Sequence, residues 1–163
     1  MNWLKRIFFA LIALAIIQIA YYYPQMPEVV ASHFDGLGAA NDWSGRNGFF
    51  GLYGAMLALL ILVFIYAPKW SEQRARFGMK IPNREYWLAS ERLEQTKQFF
   101  RRQMLVMGVV HLGLAIYSVQ LVILANLQQS ARLDPSIAWA LGLYFVILIG
   151  WLIYFFRRFR LPD

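Results

Sequence analysis

The sequence predicts an all-α fold: an integral membrane four-helix bundle with both termini in the cytoplasm and an ordered loop outside the membrane between helices 1 and 2. The chain of 163 residues is 60% hydrophobic and 15% charged, which is more apolar side chain than a soluble domain of this length can bury. Four stretches contain no Lys, Arg, Asp or Glu: 7–23, 49–67, 103–126 and 137–156. At 1.5 Å per residue, even the shortest stretch is about 26 Å long as a helix, close to a hydrocarbon core of about 30 Å.

The distribution of basic residues predicts the orientation of these helices. Of the 16 Lys and Arg residues, only Arg46 and Arg132 lie in the first and third connections, and all the others flank the first helix, follow the fourth or lie between the second and third. Lys and Arg accumulate on the cytoplasmic side of membrane proteins, so we expect loop 24–48 outside and loop 68–102 in the cytoplasm. The net charge of +7 follows this pattern and does not indicate a nucleic-acid partner.

The first apolar stretch also fits a secretory signal peptide, but its length and the absence of an A-x-A-like cleavage site favour a retained helix. Tyr21, Tyr22 and Tyr23 at its end are typical of an aromatic membrane-interface anchor. Because no repeat or low-complexity tract interrupts the chain, residues 1–163 are predicted to form one membrane domain. Within loop 68–102, residues 90–102, "SERLEQTKQFFRR", have a helix-forming composition and are expected to run into helix 3. The aromatic and basic residues of this loop fit either a surface helix at the lipid headgroups or a solvated linker.

Three polar residues of the predicted spans are candidates for a role inside the membrane. His111 shares a face of mostly small residues with Gly108, Ala115 and Ser118, and it lies about 14 Å deep, whereas Gln18 in helix 1 lies about 18 Å deep. Their depths would allow them to meet, and Gln120 is a third polar group, towards the outer end of helix 3. An intramembrane His can serve a proton path or ligand site, or it can simply hydrogen-bond neighbouring helices together.

The loop "SHFDGLGAANDWSGR", residues 32–46, carries the remaining candidates. His33 and Asp35 would point to the same side of an extended segment, but a catalytic zinc needs three protein ligands, and no such spacing is present. The chain has no cysteine and no phosphate-binding glycine pattern. We therefore expect no metal, no cofactor and no catalytic residue. We expect instead that Asp35 accepts hydrogen bonds from turn amides and that His33 bonds a backbone carbonyl or a helix-end group such as Asn126 or Gln120.

Two segments resemble a known family. "YPQMPEVVASHFDGLGAANDWSGR" is similar to the N-terminal domain, of unknown function, of SdpI-like bacterial membrane proteins, and "IPNREYWLASER" resembles a second segment found in that group. The matching loop residues are His33, Phe34, Asp35, Gly38, Asn41 and Trp43. Ala40 stands where the family usually has proline, and Gly45-Arg46 replaces its usual Ser-Lys. The resemblance implies a bacterial inner (plasma) membrane protein, in a family whose best-known member confers immunity to a secreted toxin peptide.

These observations together predict a non-enzymatic inner-membrane protein. Its outer loop, including Arg46, is expected to recognise a peptide or another membrane protein, in toxin immunity or in sensing. The lipid bilayer is its other expected partner, and association with a second copy is left open. The alternative is a small transporter or a metal-dependent membrane enzyme that uses His111 or His33.

Overall fold

The computed structural model describes residues 2–73, 81–130 and 132–161, of which most are helical. Four helices are long and apolar enough to cross a membrane, and we call them spans 1 to 4: Trp3–Gln25, Arg46–Ser71, Leu93–Leu127 and Ser136–Arg158. The underlying elements are α1 (Asn2–Tyr22) with a 3-10 turn (Tyr23–Gln25), α2 (Arg46–Ile61), a π-helical segment (Leu62–Tyr66), α3 (Ala67–Gln73), α4 (Arg84–Trp87), α5 (Leu93–Leu127) and α6 (Ser136–Arg158).

The expectation of an all-α fold is wrong in one place, because a β-hairpin joins spans 1 and 2. Strands β1 (Val29–Phe34) and β2 (Ala40–Gly45) pair antiparallel, with Val29 opposite Gly45 and Phe34 opposite Ala40. The chain reverses where the amide of Gly38 donates to the carbonyl of Asp35 and the amide of Asp35 donates to the carbonyl of Ala39. Gly38 has a φ of +78°, a left-handed conformation that glycine adopts without a steric penalty.

The four spans lie where the apolar stretches predict them, but the helices extend further. Span 3 begins at Leu93, which confirms that the charged segment before Gln103 runs into this helix. The helix of span 2 starts at Arg46 and continues to Gln73. Freedom from charge marks only the part of a helix that suits hydrocarbon, and the polar turns beyond it remain helical. The predicted loop 68–102 is therefore shorter than expected; its residues 74–80 lie outside the described part of the chain.

Span 3 occupies the middle of the arrangement and contacts each of the other three spans. The main core lies between spans 1, 2 and 3 and includes Phe8, Phe64 and Leu112. Gly108 is buried there, and a Cβ at this position would lie 2.8 Å from Cε2 of Phe8 and 2.9 Å from Cβ of Phe64. This confirms that a small residue of span 3 marks a close helix contact. Span 4 packs more loosely, since Phe155 is its one buried residue.

The segment before span 3 packs against the end of span 4. The indole of Trp87 and the side-chain amide of Asn83 both donate to the carbonyl of Phe159, at 3.1 and 2.8 Å. Phe99 and Phe159 meet edge to face with ring centroids 5.6 Å apart, and the guanidinium of Arg158 lies 4.2 Å from the Trp87 ring centroid. Residues 81–93 are thus held against the bundle, which differs from the solvated linker that the sequence also allowed.

Candidate functional site: the hairpin and the intramembrane polar groups

The hairpin is held on the end of span 3 by one side chain. The amide of Asn126 accepts a hydrogen bond from the backbone N–H of Ala31 at 2.8 Å and donates to the carbonyl of the same residue at 3.0 Å. Asn126 thus presents to β1 the donor and acceptor that a neighbouring strand would offer. It also donates to the carbonyl of Val122, at 2.9 Å, within its own helix. Asn126 is thus a helix-end group that holds the hairpin, as expected, but its partner is the backbone of Ala31 and not the predicted His33.

A second attachment joins the hairpin tip to the connection between spans 3 and 4. The amide of Leu133 donates to the carbonyl of Gly38 at 2.8 Å, and Ala39 pairs with Arg132 in an isolated β-bridge. Oδ1 of Asp35 accepts hydrogen bonds from the amides of Leu37 and Ala39, both at 2.9 Å, as expected. The turn is therefore fixed internally by Asp35 and externally by Leu133.

His33 does not reach a helix end, contrary to our expectation. Its Nδ1 lies 2.5 Å from Oδ1 of Asn41 on the facing strand, and both residues are exposed. This contact could not be predicted from the sequence pattern, because it depends on the pairing of β1 with β2. Phe34 is half-buried, whereas Trp43 is 57% exposed, with its amide donating to the carboxylate of Asp42.

Arg46 links the hairpin to the start of span 2. Its guanidinium donates to the carbonyl of Met26 at 3.0 Å and lies 4.9 Å from the ring centroid of Tyr23. Its backbone amide donates to the carbonyl of Glu28. The Tyr23 hydroxyl donates in turn to Oδ1 of Asn47 at 2.6 Å. Arg46 therefore holds the two chain segments that enter and leave the hairpin.

A cavity of about 350 Å³ lies between the hairpin tip, the end of span 3 and the connection to span 4. Its walls combine apolar side chains such as Leu37 and Leu124 with the polar residues Gln128, Arg132 and Asp134. Its size falls within the range of ligand-binding pockets, about 300 to 1,000 Å³. We call this space the tip cavity.

Two charged residues of opposite sign line the tip cavity. Hydrogen bonding from the side chain and backbone of Ser136 lowers the pKa of the Asp134 carboxyl. Arg132 is exposed, and within the described residues neither it nor Asp134 takes part in an ion pair. Both charges therefore remain available to groups that enter the cavity.

Four polar side chains form a cluster between spans 1, 2 and 3. Gln18 is buried; its amide nitrogen donates to Oε1 of Gln120 at 2.9 Å and to the carbonyl of Ile116 at 3.2 Å. Its carbonyl accepts from the hydroxyl of Tyr53 at 2.8 Å, and Gln120 donates to the hydroxyl oxygen of Tyr22 at 3.0 Å. Buried amides in lipid need such partners, so this cluster aligns the three helices.

His111 lies between spans 2, 3 and 4, which confirms that it faces the bundle interior. Nδ1 lies 2.7 Å from the carbonyl of Met107 and Nε2 lies 2.9 Å from the hydroxyl of Tyr144, so a neutral imidazole can donate at the first atom and accept at the second. Its ring centroid lies 5.0 Å from that of Phe64, in the π-helical segment.

The anticipated meeting of Gln18 with His111 does not occur. Positions 111 and 120 are nine residues apart, which at about 100° per residue places them on opposite sides of span 3. Gln18 bonds to Gln120, and His111 faces span 4. Two side chains at similar depth in the membrane therefore meet only if they also face each other around the helix axes. Tyr53 and Tyr144 provide the hydroxyl partners of Gln18 and His111, and neither is among the predicted site residues, because each lies within an apolar stretch.

Among the residues that the structure describes, no group of three or more His, Cys, Asp or Glu side chains could hold a metal ion. His33 has an amide as its neighbour, and His111 has a phenol and a backbone carbonyl. The contact of His33 joins two strands and that of His111 with Tyr144 joins two helices, while its contact with Met107 lies within span 3.

Comparison with known proteins gives one match. No curated protein matches the chain, and no solved structure matches it. Residues 10–57 match the model of a domain of unknown function, DUF1648, which here covers most of span 1, the hairpin and the first half of span 2.

Proposed function

We propose that this is a non-enzymatic membrane protein whose hairpin and tip cavity recognise a peptide or another membrane protein on the outer side of the bacterial inner membrane. The observation that carries the proposal is the attachment of the hairpin at two points, Asn126 and Leu133, which leaves a cavity of mixed polarity beneath its tip. A preformed cavity limits the entropy lost on binding, because the loop around it is already ordered.

The chemistry of the tip cavity favours a peptide over a small polar metabolite. Apolar walls from Leu37 and Leu124 suit an aliphatic or aromatic side chain, while Arg132 suits a carboxylate and Asp134 an amine or amide. On the same hairpin, the exposed Trp43 and Asn41 of β2 provide the aromatic and amide groups that are common at protein interfaces.

The finer part of the proposal is a role in toxin immunity or sensing, with the hairpin outside and both chain termini in the cytoplasm. It is supported by the resemblance of residues 23–46 to SdpI-like proteins and by the basic residues near the chain ends and between spans 2 and 3. The match over residues 10–57 includes the whole hairpin of this chain.

Crosslinking in living cells tests the recognition. A photoreactive benzoylphenylalanine replaces Leu37 at the cavity rim, and the matched control replaces Trp139 on span 4; each of these residues is 84% exposed. We expect a defined peptide or membrane-protein adduct from position 37 that is absent from position 139 and is lost when Arg132→Ala is added. Identical adducts from both positions, or only lipid adducts from position 37, would refute the proposal.

Reporter fusions test the orientation separately. A reporter active only outside the cytoplasm should be active when inserted after Gly36 in the hairpin turn and inactive when fused after Arg160. Activity at the C-terminal fusion with none in the hairpin would place the tip cavity in the cytoplasm and exclude a secreted peptide as its ligand.

A further inference from the structure

A second cavity opens on the side of the bundle, between spans 1 and 3. It has a volume of about 470 Å³, and its walls are almost entirely apolar. The residues along it run from Leu11 to Tyr22 on span 1 and from Gly113 to Gln120 on span 3. At 1.5 Å per residue the groove is about 16 Å long and parallel to the helices. We call it the lateral groove.

The lateral groove becomes polar at the end nearest the hairpin. Tyr22 accepts a hydrogen bond from Gln120 through its hydroxyl oxygen, and in the described part of the chain its own hydroxyl proton has no acceptor. The side-chain amide of Gln120 uses one of its two protons in this bond. The hydroxyl of Tyr22 and the second N–H of Gln120 can therefore each donate another hydrogen bond, next to Tyr21 and Tyr23 at the end of span 1.

We propose that the lateral groove binds one acyl chain of a membrane phospholipid, whose ester carbonyl accepts hydrogen bonds from Tyr22 and Gln120. Hydrocarbon matches the apolar walls, and a carbonyl matches the two donors. The aromatic residues at this end of span 1 belong to the membrane interface, which is where the ester groups of a phospholipid lie.

The dimensions of the groove distinguish a lipid chain from a helix of a second copy. A helix is about 10 Å across with its side chains, so 16 Å of helix occupies roughly 1,200 Å³, more than twice the volume of the groove. A second copy would therefore cover the groove without filling it, whereas an extended chain enters it lengthwise.

Gly113 lines the lateral groove and supplies the test. A Cβ at Gly113 would meet no atom within 4 Å, so Gly113→Leu places a side chain in the groove without disturbing the helix contacts. Gly150 in span 4 is equally open and does not line the groove, which makes Gly150→Leu the matched control. Tyr22→Phe removes the hydroxyl, with Tyr154→Phe as its control, since the Tyr154 hydroxyl forms no hydrogen bond among the described residues.

The probe is a phosphatidylethanolamine with a photoreactive diazirine in one acyl chain, in vesicles of phosphatidylethanolamine and phosphatidylglycerol containing the purified full chain. We expect labelling of the wild type within residues 11–22 or 113–120, mapped by mass spectrometry. Gly113→Leu should lose most of this labelling, and Tyr22→Phe should reduce it about threefold, the effect of one hydrogen bond in a membrane. Both control variants should be labelled like the wild type.

Three outcomes would overturn the proposal. One is wild-type labelling spread evenly over all four spans, and another is labelling of Gly113→Leu equal to that of Gly150→Leu. The third is an unlabelled groove combined with a dimer that Gly113→Leu dissociates, which would assign the groove to a second copy. Thermal unfolding and size-exclusion chromatography of each variant test whether the fold is retained. If Gly113→Leu misfolds, the labelling of Tyr22→Phe compared with that of Tyr154→Phe decides the proposal, and equal labelling of these two variants overturns it.

Discussion

Replacement of Asn126 by alanine should release the hairpin without unfolding the spans. The substitution removes both hydrogen bonds to the backbone of Ala31 while keeping a strong helix former at the end of span 3. A hydrogen bond contributes about 0.5 to 1.5 kcal/mol net, so the two together hold the hairpin by about 1 to 3 kcal/mol. The Leu133 bond and the covalent links to spans 1 and 2 remain, so the loss concerns local opening.

Hydrogen exchange of the backbone amides measures this loss. Since 1.4 kcal/mol is a factor of ten, the protection of residues 29–34 should fall about 5- to 140-fold in Asn126→Ala. Protection in the middle of span 3 should not change. Gln128→Ala is the matched control, because Gln128 lies half a turn further on and its side chain forms no hydrogen bond among the described residues.

Unchanged protection of residues 29–34 in Asn126→Ala would refute the reasoning, because the hairpin would then be held by its own pairing and by Leu133. Gln128→Ala should retain the hydrogen exchange of the wild type in the hairpin. Under the proposed function, Asn126→Ala should also weaken the crosslink from position 37. Loss of the crosslink with full protection would separate recognition from hairpin docking.

Three other substitutions test the packing, the intramembrane histidine and the start of span 4. Gly108→Ala should destabilise the fold by up to about 2 kcal/mol, because overpacking costs about 1 to 3 kcal/mol and the gain in helix propensity returns about 1. Gly51→Ala, where an added Cβ would meet no atom within 4 Å, should not destabilise the fold, and equal unfolding temperatures of the two variants would contradict the close packing at Gly108. Tyr144→Phe should lower stability by about 0.6 kcal/mol through the lost bond to His111 and leave recognition intact, whereas abolished recognition in a folded variant would indicate a chemical role for the imidazole. The pKa of Asp134 is lowered in the folded state, so its contribution to stability is present above its unfolded pKa and is lost as the pH falls through its folded pKa. Asp134→Asn should therefore flatten this acidic part of the curve of unfolding temperature against pH, and parallel curves for the variant and the wild type would contradict the prediction.

The spans could be predicted from the sequence because a membrane imposes a strong and simple requirement. Some twenty residues without charge are rare outside transmembrane helices, so the four apolar stretches locate the four long helices. The helix ends could not be predicted in the same way. Residues Leu93–Arg102 carry charge and fail that criterion, and only their helix-forming composition predicts that they continue the helix of span 3.

The hairpin was harder to predict because its second strand has a poor strand composition. Residues 40–45, "ANDWSG", contain Asn, Asp and Gly, which are depleted in strands. The strand forms because β1 pairs with it and because Asn126 satisfies the other edge of β1 at Ala31. Such tertiary pairing decides the state of short segments whose own preference is weak, and no local pattern reports it.

The positions of three polar residues around the axis of span 3 predict which of them face the same neighbouring helix. Gln103 bonds to Trp151, His111 bonds to Tyr144, and Gln120 bonds to Gln18. Taking about 100° per residue, positions 103 and 111 lie about 80° apart, and position 120 lies about 180° from position 111. The first two therefore face span 4, and the third faces span 1. Tyr144 and Trp151 are seven residues apart and share one face of span 4, so the two contacts belong to the same helix pair.

Because each hydrogen bond within a membrane adds only about 0.6 kcal/mol, these three hydrogen bonds of span 3 contribute about 2 kcal/mol in all. A mispaired arrangement would leave amide and imidazole groups unsatisfied in hydrocarbon at several kcal/mol each, so these side chains determine which helices are neighbours more than how tightly they are bound.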